Sequence, residues 1–419
     1  MKDVIVITGA GVVSAIGCGK ADTLAALREG RTGVGPVRYL ETSLKDYPVG
    51  EIALSNTELA ALSGAPATWP RTTLMSILAI QEALNEAGLE TPDQVGGDDK
   101  GKVGGDDKGK VGGDGRGSVM PGSDRASRIL VSGTTVGAMD LTEKIYPDYS
   151  SNHSCGACTD LAALYVDGFD DATTLSTACS SAANAIIYGA NLLRTGQCQC
   201  VVAGGSESLS NYHLNGFHSL MILDQQPCRP FDANRAGLNL GEGAAYLVLE
   251  TLEGALQRGA KPLAILSGFG NACDAFHQTA SSENGEGAYL AMTQALKRAG
   301  LQPADIDYVN AHGTGTPNND ASESTALRRV FGDNLPPVSS TKPYTGHTTS
   351  ASGSIEAVFC LLALQHGFLP AELNWSTPDP ACIVPITSCP APTGHLKHIL
   401  TNAFGFGGND SSLILSAYE

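Results

Sequence analysis

"TLSTACSSAANAII", residues 174–187, changes character at its midpoint. An apolar strand pattern gives way to a helical one, and a single cysteine, Cys179, sits at the junction. Its neighbours Ser176, Thr177, Ala178, Ser180, Ser181, Ala182 and Ala183 are all small, so backbone or a substrate can approach the sulfur closely. A helix starting at Ser180 or Ser181 would aim its free N–H groups and positive dipole end at the thiol. Such a setting lowers a cysteine pKa from about 8.5 into a range of roughly 3.5–7.5 and makes a nucleophile of it. The competing assignment is a buried, inert thiol.

The strand-then-helix alternation recurs along the chain. Short apolar runs ending in Gly or small residues lie at 4–9, 129–135, 200–208, 244–250, 263–270, 306–313 and 399–408. Helix-like stretches lie between them at 73–88, 181–196, 287–300 and 322–332. Buried strands alternating with helices indicate an α/β architecture whose sheets are covered on both faces. A long helix ends in "AGL" in each half, at 87–89 and 299–301, which points to a duplication with its junction near residue 255. The expected halves are 1–255, carrying Cys179, and 256–419.

Composition excludes several classes. A net charge of -17 with no Lys/Arg run argues against nucleic acid. Eleven cysteines without a pairing framework suggest a reducing compartment. No apolar run approaches the roughly 20 residues of a membrane helix, so no membrane span is expected and the protein is placed in the cytoplasm. "VGGDDKGKVGGDDKGKVGGDGRGS" (95–118) balances five Asp against five Lys/Arg and has ten Gly among its 24 residues. That composition cannot bury a core and reads as a passive surface insertion.

Three motifs are set aside. "TGAGVVSAIG" (8–17) places Ser14 where a dinucleotide fingerprint needs its third glycine, and tight packing of strand on helix explains it better. His153, Cys155 and Cys158 lack a second matched pair of ligands, as do Cys198 and Cys200, so no metal is expected. His213, His218, His277, His366, His395 and His398 are taken as ordinary.

A thiol nucleophile needs proton handling beside it. "NAHGTGTPNND" (310–320) places His312 just past a strand, and "SSTKPYTGHTTSASGSIEA" (339–357) places His347 in a small-residue loop before a helix. Lys342 lies five residues upstream of His347.

"TACSSA", "NAHGTGTPNND", "STKPYTGH" and "NAFGFGG" occur in the order and approximate spacing of the β-ketoacyl-acyl-carrier-protein synthases, the decarboxylating condensing enzymes. "CRPFDANRAGLNLGEGAAYLVLE" (228–250) and "VITGAGVVSAIG" strengthen the resemblance, which covers the chain except for 95–118. It is to the Cys-His-His branch rather than the Cys-His-Asn branch. The resemblance implies a thiolase-like, duplicated, five-layered α-β-α-β-α fold, with no cofactor. Cys179 would take the acyl group, and His312 and His347 would promote decarboxylation of malonyl-carrier protein and hold the enolate. The backbone N–H groups of Cys179 and Phe404 would form the oxyanion hole. Phe404 would gate the pocket, and a buried Lys342–Glu323 pair would support the histidines.

Its implied partners are acyl- and malonyl-loaded carrier protein and a second ketosynthase chain, in a homodimer or heterodimer. Carrier proteins are acidic, so a basic patch is expected at the pocket mouth, with Arg71, Arg125 and Arg128 as its members. The sequence departs from the family at Asp410, where Asn is usual, and in "TTSASG" (348–353), where Ser350 and Ser352 add hydroxyls. A short 137–175 segment tilts the substrate towards a specialised polyketide or polyene rather than a fatty acid. The alternative is a non-elongating, chain-length-factor-like partner subunit, which the presence of Cys179, His312 and His347 disfavours.

Overall fold

The computed structural model describes residues 4–89, 127–145, 154–388 and 395–419. The 95–118 repeat and Arg125 lie outside the described residues, as does part of the 137–175 segment.

Among the described residues, eleven strands occur in chain order: β1 (Ile5–Ser14), β2 (Gly17–Cys18), β3 (Arg128–Gly133), β4 (Asp171–Leu175), β5 (Cys200–Glu207), β6 (Gly243–Thr251), β7 (Ala264–Cys273), β8 (Tyr308–Asn310), β9 (Val338–Ser339), β10 (His398–Gly405) and β11 (Asn409–Ser416). The sheet order is β4-β3-β5-β6-β1-β7-β11-β10-β8-β9, with β2 paired to β1 as a hairpin. From the middle outward, β1-β6-β5-β3-β4 on one side mirrors β7-β11-β10-β8-β9 on the other. The directions mirror too, two antiparallel pairs followed by two parallel ones on each side. The sides join through a short antiparallel contact in which Val6 faces Ile265.

Helices complete five layers. Arg71–Glu86 and Ala157–Val166 pack with β1, β3 and β6 in one outer cluster, where Leu74, Ile77 and Ile80 are fully buried. Glu286–Ala299 and Pro317–Phe331 build the opposite outer cluster on β7 to β11. Ser181–Arg194 and Ser352–His366 lie between the two sides of the sheet. The latter helix is buried at every position from Ser352 to Ala363, because it meets protein all round and so carries no polar face.

β1 continues through Gly9 and Gly11, with the tight packing of strand on helix expected there. A Cβ at Gly11 would fall 2.0 Å from the Ala79 carbonyl oxygen, and one at Gly9 would fall 2.1 Å from that of Ala83. These glycines let the Arg71–Glu86 helix rest directly on the strand. Among the described residues, no helix is long and apolar enough to cross a membrane.

The mirrored order places equivalent loops face to face. Cys179 follows β4, and His347 follows β9, the strand in the matching position on the other side. Each precedes one of the two central helices, whose first turns touch: a Cβ on Gly353 would lie 2.8 Å from Ala183 Cβ. His312 joins them from the end of β8. Ligand sites collect at such carboxyl ends of parallel strands.

Candidate active site

Cys179 sits on a sharp elbow. Ala178 before it has φ 53, the left-handed region that side chains avoid, and Ser180 after it caps the Ser181–Arg194 helix. Strain of this kind persists only where the surroundings enforce it. Ser181 Oγ donates to the Ala178 carbonyl at 2.6 Å and accepts from Thr177 N–H at 2.9 Å. The thiol is 5 % exposed. Burial is the largest influence on it and pushes its pKa up to about 11, against the Lys342 charge and the backbone N–H groups of Phe406 and Cys179 itself, which favour the thiolate. Glu207 adds to the upward push. The depressed pKa expected from a helix terminus is therefore not realised: the resting group is a thiol.

His347 supplies the acceptor. Its Nε2 lies 3.0 Å from Cys179 Sγ, and its Nδ1 lies 3.0 Å from Ser352 Oγ. His312 stands edge-on to His347, with ring centroids 5.3 Å apart at 85°. Burial and the nearby Lys342 charge hold both imidazoles well below their ordinary pKa, so both are neutral at physiological pH. His312 Nδ1 has no hydrogen-bond partner. With the ring proton on Nε2, only a lone pair is left unmatched there, a smaller cost than stranding an N–H.

Lys342 and Glu323 do not pair, contrary to the resemblance. Lys342 Nζ binds Glu356 at 2.7 Å, both side chains being buried. Glu323 instead accepts the backbone N–H groups of His312 and Gly313, each at 2.8 Å, and Asn402 Nδ2 at 3.0 Å. Its support of His312 is thus direct, through the loop backbone. Glu356 extends from the Ser352–His366 helix, which passes closer to Lys342 than the Pro317–Phe331 helix does.

Phe404 is also corrected. It lies within β10, paired with Asp410 of β11, and packs 5.6 Å from the His312 ring. The N–H that reaches Cys179 belongs to Phe406, beyond Gly405, where the chain leaves the strand. Gly407 and Gly408, with φ of 81 and 77, turn the chain immediately after it. The Phe406 ring stacks on Phe217 at 5.7 Å and 20°, and both line the cavity, as does Phe404.

Neither described arginine forms a surface patch. Arg71 is buried, with a bidentate bond to Glu242 (Nε at 2.9 Å and Nη2 at 2.7 Å) and further bonds to Asn56 and the Ile52 carbonyl. Arg128 is buried at the start of β3, its guanidinium 6.0 Å from the Phe169 ring centroid.

The sulfur and both imidazoles open into one cavity of about 310 Å³, walled by Phe217, Leu220, Ile222 and Leu238 on its apolar side. Glu207 was not singled out from the sequence. It is fully buried, accepting Thr134 Oγ1 at 3.0 Å, Thr135 N–H at 2.7 Å and Ser350 Oγ at 2.6 Å, along with the Thr135 hydroxyl. Ser350 and Ser352, the hydroxyls noted after His347, thus bind Glu207 and His347 respectively.

Residues 2–255 match the beta-ketoacyl synthase N-terminal domain model and residues 263–376 the C-terminal domain model. The chain is 34% identical to 3-oxoacyl-[acyl-carrier-protein] synthase 1 of Haemophilus influenzae over 434 residues, covering 99% of each chain. It is 33% identical to nodulation protein E of Rhizobium meliloti over 420 residues, covering 98% of each. Among solved structures, the ishigamide ketosynthase/chain length factor superposes with a TM-score of 0.83 at 28% identity, covering 99% of both chains. The ketosynthase ApeO in complex with its chain length factor ApeC, from Xenorhabdus doucetiae, gives 0.77 at 29%, covering 99% of this chain and 98% of that one. Cys179, His312 and His347 meet in a fold and a sequence of one kind: the chain belongs to the β-ketoacyl synthase family.

Proposed function

We propose that this protein is a β-ketoacyl-acyl-carrier-protein synthase, moving an acyl group from a carrier-protein thioester onto Cys179 and extending it by decarboxylative condensation with malonyl-carrier protein. The observation that carries this proposal is Cys179 Sγ at 3.0 Å from His347 Nε2, with neutral His312 beside them in one cavity.

In acylation, Sγ attacks the thioester carbonyl while His347 Nε2 takes the thiol proton. The tetrahedral oxyanion is held by the N–H groups of Cys179 and Phe406. Collapse expels the carrier thiolate, to which His347 returns the proton, so the imidazole ends neutral. In condensation, malonyl carboxylate leaves as carbon dioxide and its electron pair forms an enolate, whose oxygen takes hydrogen bonds from Nε2–H of both histidines. For His347 this requires the proton on Nε2, and Ser352 Oγ, which can donate or accept at Nδ1, permits either tautomer. The enolate carbon attacks the acyl-Cys179 carbonyl, the same two N–H groups hold the oxyanion, and the cysteine thiolate departs and takes the Nε2 proton of His347, which is replaced from solvent.

Acyl- and malonyl-loaded carrier protein are its partners, together with a second ketosynthase chain in a dimer. We place the halves at 1–255 and 256–419 and the protein in the cytoplasm, where the ten free cysteines among the described residues would stay reduced. The short 137–175 segment supports a specialised polyketide or polyene over a fatty acid as product. The test is condensation with purified acyl- and malonyl-carrier proteins. Carbon dioxide and a β-ketoacyl product are expected from the wild type, with no product from His312→Ala. Wild-type protein that releases no carbon dioxide across short, long and polyene acyl donors would overturn the proposal.

A further inference from the structure

Asn409 follows Gly408 directly and opens β11. Its Oδ1 gathers Asn184 Nδ2 at 2.8 Å and Asn271 Nδ2 at 2.9 Å, and as a third donor Ser180 Oγ at 2.9 Å, whose one proton it shares with the Thr177 carbonyl at 2.7 Å. Ser180 is the residue after the nucleophile, Asn184 lies one turn into the helix behind it, and Asn271 is on β7. One amide oxygen therefore ties the cysteine elbow to two strands of the opposite side of the sheet.

The remaining bonds close the network around the same point. Asn184 Nδ2 also donates to Thr177 Oγ1 at 2.8 Å, within the elbow. Asn184 Oδ1 accepts from Asn271 Nδ2 and Ser411 Oγ, each at 2.9 Å. The elbow and the glycine loop touch as well: a Cβ at Gly405 would lie 2.8 Å from the Thr177 carbonyl oxygen.

The two N–H groups that face Cys179 Sγ come from opposite sides of this junction. One belongs to Cys179, on the strained elbow; the other to Phe406, on a loop with two consecutive left-handed glycines. Neither segment fixes its own position relative to the other. The Phe406 donor is only three residues from Asn409, and the Cys179 donor only one from Ser180.

We propose that Asn409 is the positioning residue that sets the spacing of the Cys179 and Phe406 N–H donors, by clamping the nucleophile elbow to the end of the glycine loop. This rests on the acyl-transfer role of Cys179 given above. A donor pair spaced by this clamp serves the oxyanion formed twice per turnover. Its effect thus falls on the chemical steps more than on substrate affinity.

The test uses Asn409→Leu, which keeps the size and removes the acceptor, with two readouts. The first is the pH dependence of Cys179 alkylation by iodoacetamide, located by peptide mass spectrometry, with an added cysteine-containing peptide as the reference. Loss of the Phe406 N–H from the thiolate should move the Cys179 midpoint upward by about one pH unit while the reference peptide stays unchanged. The second is acylation of Cys179 by acyl-carrier protein. The maximal rate should fall about 10- to 100-fold, approaching the loss of one oxyanion donor, with the half-saturating concentration within about twofold of wild type. Ser180→Ala, which removes one of the three donors, should shift both readouts the same way by less. Asn271→Leu, at an exposed position, carries the same test if Asn409→Leu does not fold. Variants that fold and keep the wild-type midpoint and maximal rate would overturn the role of Asn409. Wild-type protein that is alkylated but never acylated would overturn the acyl-transfer role instead.

Discussion

After burial, the Lys342 charge is the largest influence on the titration of Cys179, His312 and His347. Its cation favours the Cys179 thiolate and disfavours protonation of both His312 and His347. Burial pushes its partner Glu356 up to about 7, so that carboxyl can take a proton if the lysine is lost. Lys342→Met should therefore fold with Glu356 neutral. Without the cation, both imidazole pKa values rise towards their ordinary range, so neutral donors are lost at higher pH on acidification. The acidic limb of the condensation rate profile should move upward, and a limb unchanged from wild type would contradict the assigned electrostatics.

At this scale the three central residues were legible because each stands among small residues at a strand end. Their partners were not. Glu323 and Glu356 are both acidic residues on helices near Lys342, and only the course of those helices decides between them. Phe404 and Phe406 are separated by one glycine, and the point where β10 ends distinguishes them. Arg71 looked like a surface cation because its partner Glu242 lies 171 residues away.

Among the elements, the period of the apolar pattern located β1, β3, β5, β6, β7, β8 and β10 and four of the helices, but not the helices Ala157–Val166 and Asn211–Ser219. β11 was missed because it opens "NDSS", the segment that carries the network around Asn409. The helix expected at 322–332 starts earlier, at Pro317, where a residue without N–H suits a first turn whose N–H groups have no intrahelical partner. β1 extends through Gly9 and Gly11 because close approach of a helix overrides the low strand preference of glycine. The two buried hydroxyl-rich loops before the central helices are short and irregular, yet their positions follow from the strands they leave.

Across the whole molecule, the mirrored strand order explains why a cysteine from one half meets histidines from the other. Away from that meeting point, the β7-to-β11 side of the sheet buries an acidic group, Asp410. It lies on β11 against Gly287, at the start of the Glu286–Ala299 helix. Burial, with the charges of Asp274 and Glu323 adding to it, pushes its pKa up to about 8 from an ordinary 3.8. A raised carboxyl pKa favours folding below the unfolded value, and that contribution is lost as pH rises towards the folded one. Asp410→Asn removes the ionisation. Denaturant unfolding should show the variant more stable than wild type at pH 8.5, with the advantage shrinking as pH falls to 5. An advantage independent of pH would contradict this account of Asp410.

The central claim is that Cys179 is the acyl acceptor. It is tested most directly by intact-protein mass spectrometry of wild type and Cys179→Ala after incubation with acyl-carrier protein. The account predicts one acyl adduct on the wild type, lost with release of a β-ketoacyl product when malonyl-carrier protein is added, and none on the variant. An adduct that persists on folded Cys179→Ala, or a folded wild type that none of the acyl donors modifies, would contradict it.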